Sequence, residues 1–199
     1  MNTQIVDHRE PLEVHQHAVF RALLQAMSRP GSIQPLPQIN LSADPQASSQ
    51  EHLTNLLDCL FDQEVNYCLA APDAALSAQI HERWDAQMVA VEQADFLLVP
   101  AGNSHGQLER LKRGTPDFPD QGASVVYQVK SFATGGITPH LTGPGIKESA
   151  QPSINGLESE ELEALRQVNS EFPLGVDVIC ISLSGELLCI PRSTRIGDE

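Results

Sequence analysis

A continuous run of four apolar residues, Phe96-Leu97-Leu98-Val99, limits the folds open to this chain more than any other feature. A strand with one wet face alternates apolar and polar residues, whereas an uninterrupted apolar run is typical of a strand covered on both faces. Segments with helical periodicity precede and follow this run in the sequence. Helices that interleave with strands predict an α/β fold, in which helices flank a mixed sheet.

Amphipathic patterns predict four helices, at residues 13–28, 51–61, 72–84 and 158–169. In the first, apolar residues at helical spacing predict the buried face, which comprises Val14, Ala18, Phe20, Leu23, Leu24 and Met27. Pro30-Gly31 ends this helix, because neither residue continues a helix at low cost. The Pro-, Gln- and Ser-rich residues 32–50 predict a loop with at most a short strand. Asp73 lies at the favourable positive end of the third helix.

Apolar segments predict strands on both sides of the chain's midpoint, at residues 65–70, 88–91, 94–99 and 123–132. The turn at residues 133–136 predicts a hairpin that returns the last of these strands through residues 137–141. A second hairpin is predicted around Ser184-Gly185, between strands at residues 176–183 and 186–191. Residues 106–113 predict a short helical turn.

Composition restricts the class of protein. The chain has 199 residues, 41% of them hydrophobic, and a formal net charge of -14. These values predict one globular domain spanning residues 1–199, and the acidic balance argues against a nucleic-acid partner. No apolar run approaches the roughly 20 residues that span a bilayer, and the first ten residues lack an apolar signal core. The four cysteines form no CxxC pair, so we expect reduced core residues in a cytoplasmic protein.

The segment Leu141-Thr142-Gly143-Pro144-Gly145-Ile146 is a candidate anion loop, because successive backbone N–H groups can cradle a phosphate. Pro144 has no N–H and removes a donor from the middle of such a loop. The Walker and GxGxxG patterns are both missing. A structural turn after a strand is therefore favoured over a phosphate loop.

Asp177 interrupts an apolar strand, so its carboxylate lies either on the polar face of the strand or buried beside a cation. We predict a structural ion pair with Arg192 or Arg195, in preference to a catalytic acid or base. The segment from Pro191 to Arg195 is a compact basic cluster in an acidic chain. Its arginines can hold a phosphate or phosphonate, dock on an acidic partner or neutralise Asp177, and the residues alone leave this open.

Other groups give no catalytic constellation. The seven histidines are scattered without metal-ligand spacing, so surface or capping roles are expected and no metal site is predicted. The carboxylates at residues 158–163 are expected to form a solvated face. The chain has three lysines, Lys112, Lys130 and Lys147, and none has the context of a Schiff-base lysine.

Three motifs in register resemble the PhnH family, the H subunits of the bacterial carbon–phosphorus lyase core complex. The first runs from Gln16 to Gly31 and contains Phe20-Arg21 and Ala26-Met27-Ser28. The second is Gly135-Gly136 followed by the segment from Leu141 to Ile146. The third comprises Phe172-Pro173-Leu174-Gly175-Val176-Asp177 and Ile190-Pro191-Arg192-Ser193-Thr194. The resemblance extends over essentially the whole chain.

This resemblance implies a role in phosphonate catabolism. In the family, a complex with the G, I and J subunits couples an alkylphosphonate to ATP, displaces adenine and forms a ribose 1-phosphonate 5-triphosphate. A later radical step in the J subunit uses S-adenosylmethionine and an iron–sulfur cluster to break the C–P bond. The family fold is similar to the large domain of pyridoxal-phosphate-dependent transferases without the cofactor, and isolated members form homodimers.

For this chain the resemblance implies a subunit without a cofactor and without catalytic residues of its own. Thr142, Gly143, Gly145, Asp177 and Arg192 match family motif positions, and we expect them to stabilise the sheet ends and the subunit interface. The alternative is a free-standing protein or transferase that binds a nucleotide or phosphate ester near residues 143–145 and Arg192. A general assembly factor unrelated to phosphonates is a third hypothesis.

Overall fold

The computed structural model describes residues 10–37 and 45–197. The described helices are α1 (Glu10–Ser28), α2 (Pro45–Leu57), α3 (Ala74–Trp84) and α4 (Ser159–Val168). The described strands are β1 (Gln34–Pro35), β2 (Asn66–Leu69), β3 (Gln87–Met88), β4 (Phe96–Val99), β5 (Ser124–Val129), β6 (His140–Thr142), β7 (Asp177–Ser182), β8 (Glu186–Ile190) and β9 (Arg195–Gly197). Short 3₁₀ turns lie at Val91–Gln93, Leu108–Arg110 and Pro119–Gln121.

Seven of the described strands form one mixed sheet in the order β1-β8-β7-β5-β4-β2-β3. Strands β2, β3, β4, β5 and β7 are parallel, whereas β8 and β1 run antiparallel to their neighbours. Strands β6 and β9 pair separately as a two-stranded antiparallel sheet. The predicted α/β class with a mixed sheet is confirmed, and the likeness to pyridoxal-phosphate-dependent transferases stays a prediction.

The apolar run that predicted a doubly covered strand forms β4, which lies between β2 and β5. Because side chains alternate along a strand, Leu97 and Val99 point to one face of the sheet and Leu98 to the other. Leu97 and Val99 share a core with Leu165 of α4. Leu98 belongs to a second core with residues of α1, α2 and α3. Both faces of the strand are therefore buried, as its composition predicts.

The hairpin predicted to return from residues 123–132 through residues 137–141 is wrong. Strand β5 has parallel neighbours on both edges, β4 and β7, so it has no free edge for the returning chain. The returning segment pairs instead with residues further along the chain, Ile137 with Ile154 and β6 with β9. Residues 133–136 indicate a turn locally, but they do not determine which strands pair with β5 in the sheet.

Two other boundaries also differ from prediction. Helix α2 begins at Pro45, six residues before its predicted start and inside the predicted loop. The predicted strand at residues 88–91 is the two-residue β3 followed by the turn Val91–Gln93. The second predicted hairpin is confirmed as β7 and β8. The expectations for residues 1–9 and 38–44 lie outside the described residues, and no described helix is long and apolar enough to cross a membrane.

The predicted buried face of α1 is only partly correct. Leu23 is buried, but Val14, Phe20 and Leu24 are exposed, and Val19 and Ala26 complete the buried stripe instead. Helix α1 packs on β8, β1 and α2, and these neighbours cover one side of it. Periodicity alone did not distinguish the two apolar faces, because residues of α1 are apolar on more than one side.

Candidate functional site

The register of the second hairpin brings Asp177 and Arg192 together. Val178 pairs with Ile190 across β7 and β8, so Asp177 at the start of β7 lies beside the residues that follow β8. The backbone N–H of Arg192 donates to Oδ1 of Asp177 at 2.8 Å. Its Nε and Nη2 donate to Oδ2 at 3.1 and 2.6 Å. Of the two partners predicted for Asp177, the structure selects Arg192.

The remaining donors of Arg192 reach the loop before β5. Nη1 donates to the carbonyl of Pro119, and Nη2 lies 3.4 Å from the carbonyl of Gly122. A Cβ at Gly122 would lie 2.5 Å from Nη1, so only glycine leaves room for the guanidinium. Every nitrogen of this side chain already donates within the protein. Arg192 is therefore an anchor between β7, β8 and the loop, and four of its five side-chain N–H groups already donate to protein oxygens.

A cleft of about 790 Å³ lies next to this anchor. One wall is Thr142 at the end of β6 with Gly143 and Pro144 after it, and another is the end of α4 with Leu165 and Asn169. The segment from Arg192 to Ile196 closes the third side, and Phe172 lies at the cleft with 65% of its surface exposed. The structure thus brings four predicted site residues to one place: Thr142, Gly143, Arg192 and Arg195.

The other two predicted site residues lie outside the cleft. Asp177 is behind Arg192 and does not line it. Gly145 packs on the end of α1, where a Cβ would lie 2.3 Å from the carbonyl oxygen of Ser28. Its φ of +81° is in the left-handed region, which favours glycine. The glycine segment is therefore divided between a cleft wall and a close backbone contact with α1.

Three arginines line the cleft, and among the described lining residues there is no carboxylate, histidine or cysteine. Arg166, which the sequence analysis did not single out, joins α4 to β9 by donating to the carbonyls of Ile196 and Gly197 at 2.9 and 3.2 Å. It also forms an ion pair with Glu163. Arg195 is exposed on β9 in register with Thr142. The lining offers cations and hydroxyls, but no general base or nucleophile with a partner.

Thr194 contributes a buried hydroxyl to the same segment. The residue is 4% exposed, and its Oγ1 has no hydrogen-bond partner among the described residues. A buried hydroxyl without a partner costs free energy, so this position is not optimised for stability alone. No local signal predicts this burial, because nothing in a Ser-Thr-Arg segment indicates which hydroxyl becomes buried.

A buried carboxylate on α4 contradicts the expected solvated face at residues 158–163. Glu161 is 4% exposed and accepts hydrogen bonds from the backbone N–H and Oγ of Ser104 at 3.0 and 2.9 Å. The hydroxyl of Tyr127 donates to its other oxygen. Burial, and then the neighbouring charge of Glu161, raise the pKa of Tyr127 well above its ordinary value. This network attaches α4 to β5 and to the loop after β4.

Two histidines expected at the surface are buried. His15 is 7% and His52 is 2% exposed, and burial lowers the pKa of both below the ordinary value. The ring of His52 packs on the β7–β8 turn, where a Cβ at Gly185 would lie 2.4 Å from its Cε1. Nδ1 of His52 and Nε2 of His15 have no partner among the described residues. Both histidine rings therefore belong to the protein core.

The four cysteines are free thiols, as predicted, but only two are core residues. Cys180 and Cys189 are fully buried on β7 and β8, and burial raises the pKa of Cys180 to about 12. Cys59 and Cys68 are half-buried instead. No group of three or more His, Cys, Asp or Glu side chains within the described ranges could hold a metal ion.

A second cavity, of about 720 Å³, lies where β2 ends and α3 begins. Its lining is mostly apolar, and its polar groups have partners within the protein. Gln107 donates to the carbonyl of Ala70 at 2.8 Å, Asp73 caps α3 by accepting from the N–H of Leu76 at 2.9 Å, and Arg110 pairs with Glu92. The arginine-lined cleft is therefore the better candidate for a functional site.

Comparison with known proteins adds the family to this geometry. The family model described as bacterial phosphonate metabolism protein (PhnH) matches residues 8–197. The chain belongs to the PhnH family. It is also 35% identical, over 184 residues, to the putative C-P lyase subunit protein HtxG of Stutzerimonas stutzeri, an alignment that covers 92% of this chain and 86% of that protein. The cleft, its anchor and the β7–β8 hairpin all lie within the part that matches the PhnH family.

Proposed function

We propose that this chain is a subunit of a carbon–phosphorus lyase complex that acts in phosphonate catabolism. The observation that carries the proposal is its 35% identity, over 92% of its length, to a protein named as a putative C-P lyase subunit. Membership of the PhnH family of phosphonate metabolism proteins supports the same role. The partners we propose are the G, I and J subunits, with assembly in the cytoplasm and a homodimer when the chain is isolated.

Within that complex we propose a structural role in the ATP-dependent step that joins an alkylphosphonate to ribose triphosphate with release of adenine. The described lining of the cleft carries arginines and hydroxyls, whereas catalysis of group transfer needs a positioned nucleophile or base. We assign no cofactor to this chain. ATP, S-adenosylmethionine and an iron–sulfur cluster would belong to the other subunits.

Affinity purification tests this proposal. The tagged chain would be purified from its native host grown on a phosphonate, and the co-eluting proteins would be identified and quantified. We expect G, I and J lyase subunits in stoichiometric amounts. In the control, the host is grown on phosphate and expresses the tagged chain alone, and we expect none of these subunits to co-elute. A homodimer that elutes without lyase subunits would contradict the proposal.

The arginine-lined cleft favours a second candidate function, the binding of a nucleotide or phosphate ester by the free-standing chain. Arg195 is exposed there, and the buried hydroxyl of Thr194 has no hydrogen-bond partner among the residues that the structure describes. Isothermal titration of the isolated chain with inorganic phosphate and with AMP tests this alternative, with Arg195→Ala as the matched variant. Heat of binding that disappears in the variant would support the binding function. No binding by the unmodified chain would contradict it and would leave the subunit role as the remaining proposal.

A further inference from the structure

The outer face of α1 carries apolar side chains that no described residue covers. Val14 is 69%, Phe20 is 43% and Leu24 is 51% exposed, and Ile33 just after the helix is 41% exposed. Phe20 and Leu24 are four residues apart and therefore neighbours on the helix surface. Single exposed apolar residues are common, but adjacent ones on a helix that already buries another stripe indicate a contact surface.

The same segment differs from the rest of the chain in charge. No aspartate or glutamate occurs between Val14 and Leu36, although the chain has a net charge of -14. Arg21 and Arg29 are exposed on α1 and beside its end, and Arg21 forms no ion pair with any described residue. Asp58, whose charge acts on His15 under the helix, has an 8% exposed side chain and is already paired with Arg83. The outer face is therefore apolar and cationic.

Two kinds of macromolecule fit an apolar, cationic helix face: an anionic membrane surface and an acidic protein face. The acidic remainder of the chain opposes a membrane, because its carboxylates would be repelled within about 10 Å of anionic headgroups at ordinary salt. A protein partner needs to match only the local face. Aromatic residues and arginine are also the side chains enriched at the centres of protein interfaces.

We propose that the outer face of α1 is a docking surface for a partner subunit of the lyase complex, through a partner face with apolar residues at its centre and carboxylates around them. Phe20 and Leu24 supply the apolar contact, and Arg21 and Arg29 meet the carboxylates. This inference rests on the proposed function, because the partner is a subunit of that complex.

The test compares tagged variants of the full chain in the native host grown on a phosphonate. The double variant Phe20→Ser with Leu24→Ser removes the apolar contact, and Phe118→Ser removes a residue that is equally exposed, at 56%, on the loop before β5. We expect the double variant to capture at least tenfold less of the lyase subunits, at an unchanged melting temperature of the isolated chain. Phe118→Ser should capture them as the unmodified chain does.

Charge is tested separately by Arg21→Glu, a substitution at an exposed position that leaves the buried stripe of α1 intact. We expect a several-fold loss of captured subunits, largest at low salt, because complementary charges are screened as salt rises. If the double variant folds poorly, Arg21→Glu still tests whether the outer face of α1 is a docking surface.

Equal capture by the unmodified chain and by both α1 variants would overturn the docking surface and leave the proposed function intact. Capture of no lyase subunit by the unmodified chain would contradict the proposed function and this partner together. Sedimentation that shows a dimer of the isolated chain becoming monomeric in the double variant would assign the face to a second copy. Binding to phosphatidylglycerol vesicles that both α1 variants lose would assign it to a membrane.

Discussion

The contact between Arg192 and Asp177 predicts a large effect of a single substitution on stability. The side chains are only 14% and 21% exposed, so removing one leaves the other poorly solvated. We expect Arg192→Ala to lower the free energy of unfolding by about 3 kcal/mol, and Arg192→Lys by about half as much, because lysine keeps the charge without the fork. Urea unfolding of the isolated chain measures this effect.

The control for this prediction is Arg195→Ala, which removes an exposed arginine from the same cleft and should change stability by less than about 0.5 kcal/mol. A fully stable Arg192→Ala variant that has lost the ability to bind phosphate would contradict the anchor. That result would show instead that Arg192 binds an anion.

The buried histidines predict a loss of stability in mild acid. Burial lowers the pKa of His15 and His52 in the folded chain, whereas the unfolded chain takes up their protons near pH 6.5. The stabilisation from their neutral forms is therefore complete above pH 6.5 and is lost as the pH falls through their folded-state values, by up to about 1.4 kcal/mol per pH unit for each group. The measurement is the free energy of unfolding between pH 7.5 and pH 5.

Replacing one ring separates its contribution. His52→Phe keeps an aromatic ring against Gly185 but cannot take up a proton, so it should make the loss of stability in acid less steep. His17→Gln, which replaces an exposed histidine of α1, is the matched control for the loss of a histidine. An unchanged slope in His52→Phe would show that other groups cause the loss.

At the scale of elements, the attachment of α4 depends on Glu161. Glu161→Leu would leave three buried donors without an acceptor, two on Ser104 and one on Tyr127. We expect a loss of about 3 kcal/mol, because each unpaired buried group costs about 1–3 kcal/mol and local water offsets part of this. Tyr127→Phe, which removes one donor together with its need for an acceptor, should cost about 1 kcal/mol.

Combining Glu161→Leu with Tyr127→Phe in one chain tests whether the groups form a single network. The double variant should lose less stability than the two single variants added together, because the phenylalanine removes a donor that the leucine would leave unpaired. Strict additivity in urea unfolding would contradict the network.

Several elements were accessible from sequence because their signals are local. Asp73 was predicted at the start of α3 and caps it through the N–H of Leu76, and the β7–β8 hairpin forms around Ser184-Gly185 as predicted. The hairpin predicted after β5 failed although its turn signal was equally good. Its strand was already paired on both edges, and that pairing depends on residues as distant as β7.

The candidate site was predictable in part for the same reason. Motifs in the sequence indicate Thr142, Gly143, Arg192 and Arg195, which the fold places around one cleft. Arg166 and Thr194 could not be predicted, because an arginine on an amphipathic helix and a threonine in a basic segment carry no local sign of their neighbours. Glu161 was wrongly expected to be solvated, since a carboxylate among other carboxylates usually is.

For the whole molecule, the net charge of -14 predicts that salt stabilises the chain. Repulsion among excess carboxylates disfavours the compact state, and raising sodium chloride from about 10 mM to 0.15 M shortens the screening length from about 30 Å to about 8 Å. Salt also weakens ion pairs such as Arg110–Glu92, but such exposed pairs contribute little to stability because water already screens them. We expect repulsion to dominate.

Differential scanning calorimetry measures the result, which should be a rise of the melting temperature by about 3 °C if roughly 1 kcal/mol of repulsion is removed. Sucrose at the same osmolality, which carries no charge, controls for general solute effects. A melting temperature that falls with salt would show that the ion pairs outweigh the repulsion.

The sequence by itself determined the α/β class, the buried central strand, the second hairpin, the free cysteines and the motifs of the PhnH family. Local composition or residue spacing is enough to predict each of these features. Only the tertiary structure decided which apolar face of α1 is buried, which arginine pairs with Asp177, and that Glu161, His15 and His52 lie inside. These outcomes depend on contacts between residues far apart in the chain. Local periodicity and residue type do not specify such contacts, since the same side chain can lie on a solvated surface or be buried against suitable neighbours.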